Sequence, residues 1–100
     1  PNGRGKEAKR MTVKIHIPPF LRHFTDELTS VDVAGATVGE CLTHLMRHFP
    51  SFEKRLFLGP GNLIHSVDIY VNRESAYPEE LSKPVRDGDE LHIVLVLAGG

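Results

Sequence analysis

One hundred residues, 40% hydrophobic and 25% charged with a formal net charge of −1, are an ordinary composition for one soluble domain. No apolar run approaches the roughly 18 residues of a membrane span, and no secretory signal is visible. The single cysteine, Cys41, excludes an internal disulfide and a four-cysteine iron–sulfur site within one chain, and it fits a reducing, cytoplasmic compartment.

Residues 1–10, PNGRGKEAKR, differ from everything after them: four basic residues, one acid and no periodic apolar residue. They read as an expression remnant or disordered arm rather than a nucleic-acid-binding tail. The rest of the chain then holds eight basic and twelve acidic residues, a balance of about −4 for a domain over 11–97. That balance argues against nucleic acid as the partner and suits a basic docking surface.

Met11, Val13, Ile15 and Ile17 alternate with Thr12, Lys14 and His16, which predicts a half-buried strand. Pro18-Pro19 ends it, because neither can donate to a ladder. Phe20 to Phe24 reads as a packed connection. A second strand runs from Leu28 to Val33, with Thr29, Val31 and Val33 on one face, and Ala34-Gly35-Ala36 breaks it. Two strands joined by so short a link pair most naturally antiparallel.

Thr37 and Glu40 form a T-x-x-E capping box at the start of a helix. Val38, Cys41, Leu42, Leu45, Met46 and Phe49 recur at helical spacing on one apolar face, until Pro50 stops the run. Cys41 therefore belongs to the core, as a small hydrophobe and not a nucleophile. His44 and His48 are an i, i+4 pair that could clamp a metal. They lie on the flank and outer side of this helix, and no local spacing supplies the third ligand of a catalytic site, so they read as solvated.

Ser51 to Leu58 predicts a short second helix, and Gly59-Pro60-Gly61-Asn62 is a turn. It is not a phosphate loop, since the following Gly-Lys-Ser/Thr is missing. Val67, Ile69 and Val71 alternate with Asp68 and Tyr70 in a third strand that Asn72-Arg73-Glu74 ends. Tyr77 to Leu81 reads as a helical turn, with Leu81 and Val85 inward. Asp87-Gly88-Asp89 is turn chemistry. Leu91 to Leu97 is apolar on both alternations apart from His92, which predicts a central strand buried on two sides. His92 itself reads as a face residue rather than a catalytic one. Ala98-Gly99-Gly100 follows as a flexible tail, reaching roughly 10 Å beyond the sheet if extended.

One helix against a mixed four- to five-stranded sheet, with the strong first and last strands parallel at its centre, is an α+β, β-grasp (ubiquitin-like) architecture. Four stretches and one residue then carry a more specific resemblance: Ala36-Thr37-Val38-Gly39-Glu40 with Leu45, Ile69-Tyr70-Val71-Asn72, Asp87-Gly88-Asp89-Glu90-Leu91 and Ala98-Gly99-Gly100. Over residues 11–100 the chain resembles the ubiquitin-like sulfur carriers, relatives of the molybdopterin synthase small subunit and the thiazole-pathway carrier. The surroundings of Ile17-Pro18, Leu21-Arg22, Arg55-Leu56 and Asn72-Arg73-Glu74 look closest to the branch that feeds cysteine biosynthesis.

The resemblance implies that Gly100 carries the adenylate and then the thiocarboxylate, with Gly99 required for tail access. It also implies a carrier rather than an enzyme, one that binds no cofactor or metal itself. A ubiquitin-activating-type enzyme would supply ATP and magnesium, and a sulfur-acceptor synthase would take the sulfur. The exposed sheet face and the tail would engage the activating enzyme together. Two other readings remain open at this point: a ubiquitin-like modifier joined to lysines, and a plain β-grasp interaction module.

Overall fold

A computed structural model describes residues 12–59 and 61–96. Strand β1 (Thr12–His16) alternates as the sequence predicts, with Val13 and Ile15 fully buried and Ile17 just beyond it buried too; Met11 lies outside the described residues. Pro18 and Pro19 turn the chain into a 3-10 helix over Pro19–Thr25, which packs Leu21 inward. Strand β2 (Ser30–Ala34) then pairs antiparallel with β1, Val13 opposite Val33 and His16 opposite Ser30.

Helix α1 (Val38–His48) begins where the capping chemistry places it. The Thr37 hydroxyl accepts from the Glu40 N–H at 3.1 Å. The returning Glu40 carboxylate accepts from the Ala36 N–H at 2.8 Å, one residue earlier than a simple capping box would put it. Val38, Cys41, Leu42 and Leu45 are fully buried, while Met46 and Phe49 pack partly buried at the edge. At Gly35 the chain passes so close to the start of α1 that an added Cβ would lie 2.8 Å from the Cys41 nitrogen. Only a residue without that carbon permits the approach.

The predicted second helix is shorter than Ser51–Leu58. Helix α2 spans Phe52–Leu56 and gives way at once to strand β3 (Phe57–Gly59), which pairs with β4 (Asn62–Leu63) in a small separate ribbon. Phe52 and Leu56 face the core, so the helical turn lasts only as long as its i, i+4 apolar pair. Pro60 of the predicted turn lies outside the described residues. Strand β5 (Val67–Val71) buries Val67, Ile69 and Val71 and is followed by the two-residue β6 (Glu74–Ser75). A 3-10 turn over Glu80–Ser82 and a buried Val85 agree with the reading of that stretch.

Strand β7 (Glu90–Leu95) completes a five-stranded sheet of order β2-β1-β7-β5-β6. It lies parallel to β1 and antiparallel to β5, at the centre as predicted. Its burial is not as predicted. Only Leu91 and Ile93 are buried; His92 and Val94 are half-buried, and Leu95 is exposed. The core lies on one side, under α1, and nothing described covers the other face. The apolar run misled because Val94 lies on the uncovered face and Leu95, though on the inner parity, is exposed at the end of the strand.

Candidate functional site

The predicted reacting residues, Gly99 and Gly100, lie outside the described residues with Leu97 and Ala98. What the structure describes is the mount that carries them. At its far end β7 is held by a turn in which Gly88 takes φ 90°, a conformation open to glycine at no steric cost. Asp89 closes the turn by accepting the Arg86 N–H at 2.8 Å, and Asp87 accepts the Thr12 N–H at 2.8 Å. On the other side Asn72, in the left-handed region at φ 58°, donates its amide to Asp89 at 3.1 Å and accepts the Glu90 N–H at 3.0 Å. The Asn72 and Asp87-Gly88-Asp89 signatures, separated in sequence, therefore meet at one clamp. They set the register of β7 against both neighbours.

That register runs through to the exit. Val67 stands opposite Leu95, and the Val96 N–H donates to the Ser66 carbonyl at 2.7 Å. The last described residue is thus still tied to β5. Leu95 and Val96 are both exposed there, and Val96 lines a groove with Ile64, Val67, Leu81 and the 72% exposed Tyr77, alongside His65, Asp68, Glu79 and Glu80. A groove of mixed apolar and polar lining at the end of β7 suits contact with another protein.

The open sheet face presents Lys14 and His16 from β1, Asp32 from β2, Asp68 and Tyr70 from β5, and Glu90 and His92 from β7. His16 sits directly opposite His92 across the parallel pair, and their rings stack at 4.4 Å with 3° between planes. His16 Nε2 is 2.7 Å from Glu90 Oε1. That hydrogen bond holds the Glu90 carboxyl below its ordinary value, with the His16 charge adding to it. Desolvation, then the nearby His16, lowers the His92 imidazole. His92 is the outward-facing residue that alternation predicted.

Sequence reading treated these three residues singly and missed their convergence. Strand parity puts His16 and His92 on one face, but only the cross-strand register brings them together. Cys41 is fully buried, and burial pushes its thiol up to about 11, with Glu40 and Asp89 adding to the rise, so it is no nucleophile. His44 and His48 approach within 3.1 Å through their Nε2 atoms, and His44 Nδ1 accepts the Ala34 N–H at 2.8 Å. His44 is thus a tether for the edge strand β2, not a merely solvated side chain. No helix among the described residues is long and apolar enough to cross a membrane.

A comparison with known proteins converges on one group. The profile of the ThiS family matches residues 15–100. A candidate sulfur carrier protein of Archaeoglobus fulgidus is 30% identical over 91 residues, covering 90% of this chain and 100% of its own. Small archaeal modifier protein 1 of Haloferax volcanii is 37% identical over 71 residues, covering 70% of this chain and 78% of its own. A chain in the crystal structure of the Amycolatopsis orientalis BexX/CysO complex superposes with a TM-score of 0.78 at 34% identity, covering 88% of this chain and 99% of its own. Fold, clamp and relatives agree: the chain belongs to the ThiS family of ubiquitin-like β-grasp sulfur carriers and small modifiers.

Proposed function

We propose that this protein is a sulfur carrier whose Gly100 carboxylate is adenylated and then converted to a thiocarboxylate. The single observation that carries this reading is the course of β7. It is clamped at its start, paired on both sides, still tied to Ser66 at Val96, and followed in sequence by Leu97-Ala98-Gly99-Gly100. A rigid strand followed by three small residues can deliver a backbone carboxylate into a narrow site.

A terminal carboxyl has a pKa of about 3.5, so at neutral pH it is an anion and a poor electrophile. In the proposed first step a carboxylate oxygen attacks the α-phosphorus of ATP and expels pyrophosphate. A hydrosulfide equivalent then attacks the acyl carbon, forming the C–S bond as the bond to AMP breaks. ATP and magnesium belong to a ubiquitin-activating-type enzyme, and the sulfur passes to an acceptor synthase of cofactor (molybdopterin or thiamine) or cysteine biosynthesis. CysO occurring in a complex with BexX supports this kind of partnership for a related carrier. Residues 98–100 act as the tail, and the domain supplies docking surface.

Deleting Gly100 tests the reading. Pyrophosphate exchange with the cognate activating enzyme should vanish, and Gly99→Val should depress it strongly by obstructing the tail. Thermal unfolding should stay unchanged, since neither glycine has a side chain to pack. A folded, Gly100-deleted protein that is still adenylated would sink the proposal. Similarity to a small archaeal modifier protein favours a second reading, conjugation of the same terminus to lysines. Intact mass from cells decides: sulfur in place of oxygen on the free protein supports the carrier, and lysine-linked conjugates support the modifier.

A further inference from the structure

The proposed tail chemistry uses none of the side chains clustered on the open sheet face. His16 from β1 and Glu90 and His92 from β7 bring two imidazoles and a carboxylate together, with their ligand atoms all within 4.8 Å of one another. We propose that His16, Glu90 and His92 form a binding site for one divalent transition cation of the zinc class. Two imidazole nitrogens and one carboxylate oxygen are a donor set suited to zinc, copper or nickel rather than to magnesium or calcium.

The geometry is close to what such an ion needs. Ligand bonds of about 2.0–2.2 Å place the donors of a tetrahedral zinc roughly 3.3 Å from each other. The 2.7 Å contact between His16 and Glu90 must open, and the longest separation, no more than 4.8 Å, must close. The two imidazoles, stacked 3° from parallel, must also rotate so that their nitrogens converge on a shared ion. The backbone stays still, because His16 and His92 are opposed in a hydrogen-bonded parallel ladder at the sheet centre.

The groups facing the trio are Lys14 opposite Glu90, Ser30 opposite His16 and Tyr70 opposite His92. Zinc takes its carboxylate and imidazole ligands in their deprotonated forms. A cation at His16 Nε2 takes the place of the proton shared with Glu90 Oε1, which moves to Nδ1 or to solvent. Lys14 opposes the site, so its removal should tighten binding. Three protein donors leave a fourth position open on the solvent side.

The helix pair His44 and His48 is an internal rival. Its nitrogens are well spaced at 3.1 Å, but it offers only two donors, and the His44 ring is already engaged with Ala34. The experiment is calorimetric titration of the full chain with zinc in a non-chelating buffer at neutral pH, with circular dichroism on each variant to verify the fold. One saturable equivalent is expected. His92→Ala and Glu90→Gln should each weaken it about tenfold or more, since losing even an outer-shell partner of a metal ligand costs about 10- to 100-fold. His44→Ala with His48→Ala should leave it unchanged. Absence of saturable binding by the parent protein overturns the proposal. So does binding that survives in folded His92→Ala and Glu90→Gln, or that is lost with the helix pair.

Discussion

The two faces of the five-stranded sheet are built from the same strands and share nothing else. On the inner face Val13, Ile15, Val33, Ile69, Leu91 and Ile93 lie buried against α1 and the rest of the core. One residue along each strand, the outer face carries Lys14, His16, Asp32, Asp68, Tyr70, Glu90 and His92, exposed or half-buried. Strand parity alone separates them. One parity holds the buried apolar packing, and the other carries charge and donor chemistry.

Three perturbations would break or sharpen that contrast. The largest effect should come from Leu45→Ala, which deletes part of a fully buried side chain opposite the inner face. A cost of about 2–5 kcal/mol is expected, from lost transfer energy plus the cavity left behind. Denaturant titration measures it, and a loss under about 1 kcal/mol would mean that the helix–sheet interface is not the core.

An intermediate effect should appear at alkaline pH through Cys41, also on the core side. Its folded pKa of about 11 lies above the ordinary 9.0, so the folded state keeps a proton that the unfolded chain gives up. The associated stability is fully present below pH 9.0 and is lost progressively as pH rises toward about 11. Cys41→Ala should flatten the difference in unfolding free energy across that window. Equal slopes for both proteins would show that the thiol is more accessible than its burial implies.

Lys14→Ala on the outer face should be the smallest change. Its side chain is exposed in the middle of β1, and such substitutions usually fall within about 0.5 kcal/mol. A cost above about 1 kcal/mol in the same titration would mean that the outer face contributes to stability, and the two faces would no longer separate.

Much of the fold was legible because its signals are local. Alternation from Val13 to Ile17 and from Val67 to Val71 marks strands directly. The helical spacing from Val38 to Leu45, capped by Thr37, marks α1. The parallel pairing of first and last strands followed from their strength and from the order of elements. What was not legible depends on partners distant in sequence. Val94 and Leu95 look like core residues in a string of apolar letters, but Val94 falls on the uncovered face and Leu95, on the inner parity, ends the strand exposed. The β3–β4 ribbon begins inside the stretch Ser51 to Leu58 that reads as one short helix. The His16–Glu90–His92 cluster needs the exact β1–β7 register, which no local window contains. The proposed reacting residues, Gly99 and Gly100, were read from the sequence and lie outside the described residues.

The parallel β1–β7 ladder also constrains how the protein comes to be folded. His16 and Glu90 are 74 positions apart, so the centre of the sheet depends on a contact between the beginning and the end of the domain. Such non-local closure is slow, and it cannot start on a chain still lacking its last strand. During synthesis β1 therefore waits with one edge unpaired, open to chance pairing with other chains. Once β7 docks, that edge is gone, and under the proposed function the reactive end follows directly from the strand that closed the sheet. Completion of folding and readiness for activation are then a single event.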